Sequence, residues 1–335
     1  MNNIETIYKA FENCYKISTD TRLDVKDSVF FALSGDNFDG NKFAHIAIEK
    51  GAKIAIIDNI DYKLNNSYVL VDDVLQTLQE LANYHRKLLG TTVIAITGSN
   101  GKTTTKELVS AVLATEKTTV STKGNFNNHI GVPLSLLQIR EDTELAVIEM
   151  GANHIDEIKR LCEIALPDLG IITNIGKAHL EGFGSYEGVI KAKNELYDFI
   201  RKSKGEIIQF NDDELLMRLG KGIKSFTYGK KADVSGVVGE TNPSLKLKWS
   251  FKEKEYIINS SLYGSYNFPN IMAAIAVGIY FGINADNISK AIETYKPSNN
   301  RSQISNTENN SLILDAYNAN PVSMMNAIKS FKDFN

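Results

Sequence analysis

The sequence predicts an α/β protein built around a parallel sheet. Short apolar segments rich in valine and isoleucine alternate with segments of helical length, as in parallel sheets covered by helices. Most of the apolar segments are followed by a glycine or a polar turn. The chain has 335 residues, 43% of them apolar and 23% charged. At about 100 to 200 residues per domain, this length predicts two or three domains, each with its own core.

Composition excludes several classes of protein. The net charge of -3 gives no basic surface that would bind nucleic acid through phosphate contacts. Cys14 and Cys162 are far apart in predicted helices, so we expect both to be reduced and neither to form a disulfide or a metal site. The N-terminus has no secretory signal, and the apolar stretch 271–283 is shorter than the ~20 residues that span a bilayer. We therefore expect a buried helix there and a cytoplasmic protein.

The first part of the chain predicts a small α/β domain. Its predicted strands are residues 28–33, 53–58 and 68–71, with a helix at 41–50. An amphipathic helix follows at 73–89, and Gly90 with the two threonines after it indicates a boundary. We place the first domain at residues 1–89.

The second part predicts a larger parallel sheet, with strands at 92–97, 145–150, 169–174 and 206–210. In an open parallel sheet, ligands bind beyond the carboxyl ends of the strands, so polar residues that follow these strands are the best candidates for chemistry. Antiparallel strands at 234–260 and helices at 268–281 and 285–295 complete a second domain, 90–297. The polar stretch 297–311 predicts a linker or exposed loop, and a strand at 312–315 begins a third domain, 298–335.

A glycine-rich loop follows the strand at 92–97 and leads into a helix. Its residues are Thr97, Gly98, Ser99, Asn100, Gly101, Lys102, Thr103 and Thr104. Backbone N–H groups freed by the glycines can surround phosphate oxygens, Lys102 can neutralise the outer phosphates, and the Thr103 hydroxyl can reach a magnesium ion. The loop is shorter than the general pattern GxxxxGK[ST], because Ile96 stands where the first glycine would be. The order of strand, loop and helix nevertheless predicts a nucleotide site.

Four further candidates follow the predicted strands or lie in a helix after them. Glu149 ends one strand, where its carboxylate could bind magnesium directly or through water, or could be a solvated acid. His179 follows another strand and is either a metal ligand or a structural histidine. Lys191 and Lys193 lie in a helical segment whose default interpretation is a solvated basic face, and the pattern does not choose between them.

Side-chain amides are concentrated in one loop and recur near the end of the chain. Asn125, Asn127 and Asn128 suit a polar, hydrogen-bonded ligand, although an ordinary polar turn is the alternative. The residues that could reach a nucleotide or phosphate from elsewhere are Asn267, Asn270, Arg301, Asp315 and Tyr317.

With these residues identified, the sequence resembles the Mur ligases of peptidoglycan synthesis over its whole length. The stretches that carry the resemblance are STDTR (18–22), FFALSGDNFDGNKF (30–43), TGSNGKTTTKE (97–107), GNFNNHIGVPLSLL (124–137), EMGANHIDEI (149–158), TNIGKAHLEGFGS (173–185), NFPNIMAAIAV (267–277) and DAYNANPVSM (315–324). The shortened glycine loop is the form that this family uses.

The resemblance implies a fold and a reaction. The fold would have a small N-terminal UDP-binding α/β domain, a central ATPase domain with the phosphate loop, and a Rossmann-like C-terminal domain that is only begun. The branch that it resembles most uses ATP and Mg²⁺ to join D-alanyl-D-alanine to UDP-N-acetylmuramoyl-tripeptide through an acyl phosphate. Lys102, Glu149, His179 and Lys193 would be catalytic, with Thr103, Glu149 and His179 as metal ligands. Lys193 matches the lysine that many relatives carbamylate.

The resemblance also implies binding roles. Asn267, Asn270, Arg301, Asp315 and Tyr317 would contact the nucleotide together with the glycine loop. Thr19, Asp20 and Arg22, with the region 31–40, would bind the uridine part of the substrate, and Asn125, Asn127 and Asn128 would face the muramoyl-peptide. The family often has histidine at the positions of Asn41 and Tyr266 and a glycine near Asp156, which leaves local contacts open.

The third domain of the family is much longer than the stretch that begins after residue 297. We therefore expect a truncated chain that binds nucleotide weakly, if at all, and turns over little. We also expect the chain to be a monomer. The alternatives within the class are the Mur ligase that adds the third amino acid and, more distantly, a folate polyglutamate ligase. From another class, a nucleotide-binding assembly factor without catalytic activity is the alternative.

Overall fold

The computed structural model describes residues 4–241, 244–297, 300–301, 303–315, 317 and 321–332. Contacts divide the chain into two compact units. The first unit contains the described residues of Met1–Thr91, Lys123–Glu141 and Glu163–Leu166. The second contains those of Thr92–Thr122, Asp142–Cys162 and Pro167–Asn335. The predicted domain boundaries near residues 89 and 297 remain predictions.

The α-helices within the described residues are α1 (Ile4–Glu12), α2 (Ala44–Glu49), α3 (Val74–Leu89), α4 (Lys102–Leu113), α5 (Gly131–Leu136), α6 (Glu157–Ala165), α7 (Leu180–Phe183), α8 (Tyr186–Ser203), α9 (Glu214–Leu219), α10 (Phe268–Tyr280), α11 (Ala285–Thr294) and α12 (Pro321–Lys332). Short 3₁₀ helices occur at Gly40–Phe43, Ile60–Tyr62 and Ser265–Asn267. Of the helices in the described part of the chain, none has the length and apolar character needed to cross a membrane.

The strands in the same residues are β1 (Ile17–Ser18), β2 (Val29–Phe31), β3 (Ser34–Gly35), β4 (Phe38–Asp39), β5 (Ile54–Ile57), β6 (Tyr68–Leu70), β7 (Thr92–Thr97), β8 (Thr119–Ser121), β9 (Leu145–Glu149), β10 (Leu169–Ile172), β11 (Glu206–Phe210), β12 (Lys224–Gly229), β13 (Val234–Val238), β14 (Lys246–Phe251), β15 (Lys254–Asn259), β16 (Gln303–Asn306) and β17 (Ser311–Leu314).

The first unit is built on a parallel sheet with the strand order β1-β2-β5-β6. Its core contains Phe30, Ile57 and Tyr68, packed against small residues of α2. The helix α3 begins where the Asp73 side chain accepts a hydrogen bond from the Gln76 N–H, which satisfies an otherwise unpaired donor of the first turn. The predicted elements of this region are confirmed, with ends that differ from the prediction by at most three residues.

The second unit is built on a sheet with the strand order β15-β14-β13-β12-β11-β10-β7-β9-β8. The strands from β8 to β13 pair in parallel, and β13, β14 and β15 pair antiparallel. In the ladder, Ile96 of β7 pairs with Glu149 of β9, and Thr97 pairs with Ile172 of β10. The segments that follow β7, β9 and β10 therefore meet at one edge of the sheet. The apolar helix α10 is buried in the core of this unit, as predicted.

The observed secondary structure differs from the predicted one in four places. Cys14 lies in a turn after α1 rather than in a helix, whereas Cys162 lies in α6, and both cysteines are free. The stretch predicted as a loop at 297–311 contains β16, which pairs antiparallel with β17. The strands β8 and β12 were not predicted, because each has few β-branched apolar residues. The strand predicted at 169–174 ends at Ile172 and leaves Thr173 and Asn174 in the following loop.

Candidate functional site

The glycine loop between β7 and α4 has a backbone that only glycine adopts easily. Gly98 has a φ of +147° and Gly101 a φ of +77°. A Cβ atom on Gly98 would collide with the Thr173 hydroxyl, and one on Gly101 would lie 2.5 Å from Oδ1 of Asn270. Both glycines are therefore required by close packing as well as by backbone conformation.

Lys102 lies at the first position of α4, and its side chain turns back over the loop. Its Nζ donates to the carbonyl oxygens of Gly98 (2.8 Å) and Ser99 (3.3 Å). Burial lowers the pKa of this ammonium group, while the negative charge of Glu149 raises it and the positive charge of Arg301 lowers it further. The first turn of α4 also has backbone N–H groups without intrahelical acceptors, and the helix dipole favours an anion there. The loop is thus suited to bind phosphate.

Glu149 is the last residue of β9, next to the strand that precedes the loop. It is only 1% exposed, and its backbone N–H donates to the Thr122 hydroxyl at 3.0 Å. Its charge is close enough to Lys102 to favour the protonated ammonium. A buried carboxylate beside a phosphate loop has the position and chemistry of a metal-binding group.

His179 and Lys193 are electrostatically coupled to Lys102. Partial burial lowers the pKa of His179, and the charges of Lys102 and Lys193 lower it further, so the imidazole stays neutral at pH 7. His179 has a φ of +53°, a strained conformation for a side chain of this kind. Burial, and then the charge of Lys102, lowers the pKa of Lys193 to about 7, although Glu157 and Glu195 oppose this effect.

Burial distinguishes the two lysines of α8 that the sequence left open. Lys191 is exposed, whereas Lys193 is 2% exposed. The Nζ of Lys193 lies 3.4 Å from the Ala152 carbonyl oxygen and 5.3 Å from the centre of the Phe183 ring. These contacts solvate an ammonium ion poorly, which explains its depressed pKa.

The possible metal ligands near the glycine loop suit magnesium better than a metal whose ligands all come from protein side chains. Among the described residues, no three His, Cys, Asp or Glu side chains form a metal-binding group. Mg²⁺ usually takes one or two carboxylates and completes its coordination with water and substrate phosphate. Glu149 and the buried Thr103 are oxygen donors of this kind, and His179 supplies a neutral nitrogen.

Asn267 and Asn270 are buried beneath the loop and bond to protein groups. Nδ2 of Asn270 donates to Oδ1 of Asn267 at 2.9 Å, and Nδ2 of Asn267 donates to the Tyr263 carbonyl at 2.8 Å. The Thr105 hydroxyl donates to Oδ1 of Asn270 at 3.2 Å. The structure therefore places this pair against α4 and Gly101, where it supports the loop.

The candidates near the end of the chain also lie in the second unit. The Arg301 guanidinium lies 3.7 Å from the centre of the Tyr317 ring, and its charge lowers the pKa of Lys102. Oδ2 of Asp315 accepts a hydrogen bond from the Tyr266 hydroxyl at 3.3 Å. The charge of Arg301 thus acts on the sheet edge that holds Lys102 and Glu149, which we call the phosphate edge. About half of the Tyr317 side chain is exposed.

The candidates for uridine binding lie in the first unit, just after β1. Arg22 donates to both carboxylate oxygens of Asp20, at 2.9 Å and 2.7 Å, and this pairing lowers the pKa of Asp20 to about 2. Arg22 is exposed and Thr19 is half-buried. A ligand that uses the Asp20 carboxylate would compete with Arg22.

The asparagine loop belongs to the first unit as well. Oδ1 of Asn128 accepts hydrogen bonds from the N–H groups of Ile130 (3.1 Å) and Gly131 (2.8 Å), so this side chain stabilises the turn that leads into α5. Asn125 is exposed, and its carbonyl accepts the Asn127 N–H at 2.7 Å. Asn128 is exposed as well, whereas Asn127 is half-buried.

The sequence did not single out Thr173, Asn174 and Gly176, which follow β10 and bond directly to the glycine loop. Their position at the end of a strand adjacent to β7 was the available signal. The strand order, however, becomes known only from the structure.

The strand, glycine loop and helix at residues 92–113 define an α/β protein of the phosphate-loop class. A model of the Mur ligase middle domain matches residues 96–278, over half of the chain. The UDP-N-acetylmuramoyl-tripeptide–D-alanyl-D-alanine ligase of Bacillus subtilis is 39% identical over 317 residues, which cover 93% of this chain and 69% of that protein. The chain belongs to the Mur ligase family.

Solved structures agree with this assignment. MurF from Acinetobacter baumannii superimposes with a TM-score of 0.89 at 29% identity, covering 99% of this chain and 77% of that one. MurF from Thermotoga maritima, solved in complex with ADP, has a TM-score of 0.86 at 26% identity, covering 100% of this chain and 77% of that one. The predicted α/β fold class is confirmed.

Proposed function

We propose that the protein is an ATP-dependent ligase that joins D-alanyl-D-alanine to UDP-N-acetylmuramoyl-tripeptide in peptidoglycan precursor synthesis. The observation that carries the proposal is the phosphate loop with Lys102, placed at one sheet edge with Glu149 and electrostatically coupled to His179 and Lys193. The substrates are those in the name of the relatives that match over most of the chain.

The first step forms an acyl phosphate. A carboxylate oxygen of the tripeptide attacks the γ-phosphorus of ATP, the bond from this phosphorus to the bridging β,γ-oxygen breaks, and ADP leaves. Lys102 and the N-terminus of α4 stabilise the negative charge on the transferred group, because they are already oriented by the loop.

The second step forms the amide. The amine of D-alanyl-D-alanine attacks the acyl carbon, the bond between this carbon and the phosphate oxygen breaks, and phosphate leaves as the amine loses a proton. Bound Mg²⁺ would neutralise phosphate charge, held by Glu149, Thr103 and His179. The lowered pKa of His179 keeps its imidazole in the neutral form that a metal requires.

Lys193 is the residue that we propose to be carbamylated. A neutral lysine amine attacks CO₂ and loses a proton, which leaves a carbamate anion on the nitrogen. Because burial lowers the pKa of Lys193 to about 7, a substantial fraction of its side chains is neutral at pH 7 without any cofactor. The change from cation to anion would add a negative charge near Lys102 and provide oxygen donors at the same edge. Lys191, which is exposed, is not suited to this role.

The remaining contacts follow from the same proposal. Arg301, Asp315, Tyr317, Asn267 and Asn270 complete the nucleotide site. Thr19, Asp20 and Arg22 bind the uridine part of the substrate, and Asn125, Asn127 and Asn128 face its peptide. We propose that the protein acts as a monomer in the cytoplasm.

Phosphate release tests the proposal. The full-length protein is incubated with ATP, Mg²⁺ and UDP-N-acetylmuramoyl-tripeptide, with and without D-alanyl-D-alanine. We expect release only when the dipeptide is present, with L-alanyl-L-alanine as the inactive control. Release with UDP-N-acetylmuramoyl-dipeptide and a free amino acid would instead assign the chain to the preceding ligase.

A further inference from the structure

Asn174 follows β10, and its side chain bonds to both the backbone N–H and the backbone carbonyl of Asn100 in the glycine loop. Its Oδ1 accepts the Asn100 N–H at 3.1 Å, and its Nδ2 donates to the Asn100 carbonyl at 2.9 Å. The Asn174 backbone carbonyl also accepts the Ser99 N–H at 2.9 Å. A single residue thus fixes two consecutive loop residues through three hydrogen bonds.

The neighbours of Asn174 bond to the same half of the loop. The Thr173 hydroxyl donates to the Asn100 carbonyl at 2.6 Å and fills the space beside Gly98 that a Cβ atom would need. The Ser99 hydroxyl donates to the Gly176 carbonyl at 3.0 Å and accepts the Gly176 N–H at 2.9 Å. The loop is therefore attached to the end of β10 rather than free in solvent.

These bonds divide the loop into two halves with different tasks. The N–H groups of Ser99 and Asn100 point to Asn174 and are not directed at a phosphate. The N–H groups of residues 102–104 belong to the first turn of α4, where no intrahelical acceptor exists. The first half is thus anchored, and the second half is left to face an anion.

We propose that Asn174, assisted by Thr173, is a positioning residue that orients the phosphate loop for the nucleotide by anchoring the backbone N–H and carbonyl of Asn100. This inference rests on the proposed nucleotide-dependent function. Without the anchor, residues 98–100 would move as a flexible glycine loop, and Lys102, which bonds to two of their carbonyls, would move with them.

Asn174→Ala removes both side-chain bonds to Asn100, and Asn174→Asp keeps the acceptor while removing the donor. Thr173→Val removes only the hydroxyl at constant shape, and Thr173→Ser restores it. The matched control is Asn211→Ala, because Asn211 follows the next strand, β11, and its Nδ2 donates to the Lys231 carbonyl at 2.7 Å instead of to the glycine loop.

The measurement is MgADP affinity of the full-length protein by calorimetry, well below the melting temperature of every variant. We expect affinity to fall about tenfold or more in Asn174→Ala and Asn174→Asp. The MgADP affinity of Thr173→Val should fall several-fold, and Thr173→Ser should restore it. Affinity for UDP should stay constant in all variants. If Asn174→Ala does not fold, the two Thr173 variants give the answer.

Unchanged or tighter MgADP binding in the folded Asn174 variants, or equal binding by Thr173→Val and Thr173→Ser, would overturn the inference and leave the proposed function intact. A wild-type protein that does not bind MgADP would overturn both. A fall in melting temperature with unchanged affinity would assign Asn174 a structural role only, which also contradicts the inference.

Discussion

The two units place their candidate charges in opposite environments. In the second unit, burial lowers the pKa values of Lys102 and Lys193, and a nearby positive charge lowers each further, that of Arg301 on Lys102 and that of Lys102 on Lys193. In the first unit, Asp20 and Arg22 satisfy each other in solvent. The phosphate edge thus holds positive charge that an anionic ligand would stabilise, whereas the charges of Asp20 and Arg22 already neutralise each other.

This difference predicts where substitutions act. Removing a group from a preorganised, water-poor site costs the full stabilisation of transition-state charge. Removing a group from an exposed ion pair costs little, because water and salt screen the pair. We therefore expect the effects at the phosphate edge to exceed those in the first unit by orders of magnitude.

Lys102→Met should give the largest effect. The substitution removes the cation that the loop orients, and we expect phosphate release to fall by about 10³-fold. The melting temperature should not fall, because the substitution also removes the cost of burying an ammonium group. The control is Lys191→Met, at an exposed position of α8. Activity within tenfold of wild type would remove Lys102 from the mechanism.

Gly101→Ala should have the next largest effect and separates backbone strain from crowding. Gly101 and Gly222 both have positive φ, +77° and +82°, but only at Gly101 would a Cβ atom meet another group, Asn270. Each alanine should cost about 1–2 kcal/mol in the free energy of unfolding through strain. The free energy of unfolding should fall further in Gly101→Ala than in Gly222→Ala, and only Gly101→Ala should weaken MgADP binding. Equal losses in both variants, measured by urea unfolding and calorimetry, would show that Asn270 does not constrain the loop.

Lys193 should make stability depend on pH. Its folded pKa of about 7 lies below the ordinary value of 10.5, so between these values the unfolded chain binds more protons and stability rises with pH. The burial cost is fully present below pH 7 and disappears by pH 10.5, a total on the order of 5 kcal/mol at about 1.4 kcal/mol per pH unit. The free energy of unfolding is measured from pH 7 to 9 in buffers free of bicarbonate. Lys193→Met should lose this slope and Lys191→Met should keep it, whereas equal slopes would contradict the account.

Arg22→Ala should have the smallest effect. We expect KM for UDP-N-acetylmuramoyl-tripeptide to rise several-fold with kcat unchanged. Arg22 is exposed, and its proposed contact is with the uridine part of the substrate rather than with the transferred phosphate. The control is Arg201→Ala, which breaks another exposed pair, with Asp198 at 2.7 Å. A large fall in kcat, or no change in KM, would be evidence against a role for Arg22 in substrate binding.

The sequence predicted the phosphate loop because strand, glycines and lysine are contiguous, and it placed Glu149 and His179 at strand ends. The residue pattern alone did not distinguish Lys193 from Lys191, since burial depends on which helix face packs on the sheet, and only the resemblance to the Mur ligases indicated Lys193. The anchoring role of Asn174 depends on strand order, and the turn-forming role of Asn128 depends on the start of α5, so neither followed from composition. The hairpin of β16 and β17 was missed because its first strand is polar.

The central claim is that the reaction proceeds through an acyl phosphate formed at the Lys102 loop. Transfer of oxygen from substrate to phosphate tests it most directly. The full-length protein is given UDP-N-acetylmuramoyl-tripeptide labelled with ¹⁸O in its terminal carboxylate, together with ATP, Mg²⁺ and D-alanyl-D-alanine. We predict that the phosphate released contains one carboxylate oxygen per amide formed. Phosphate without ¹⁸O, released while the amide forms, would contradict this account.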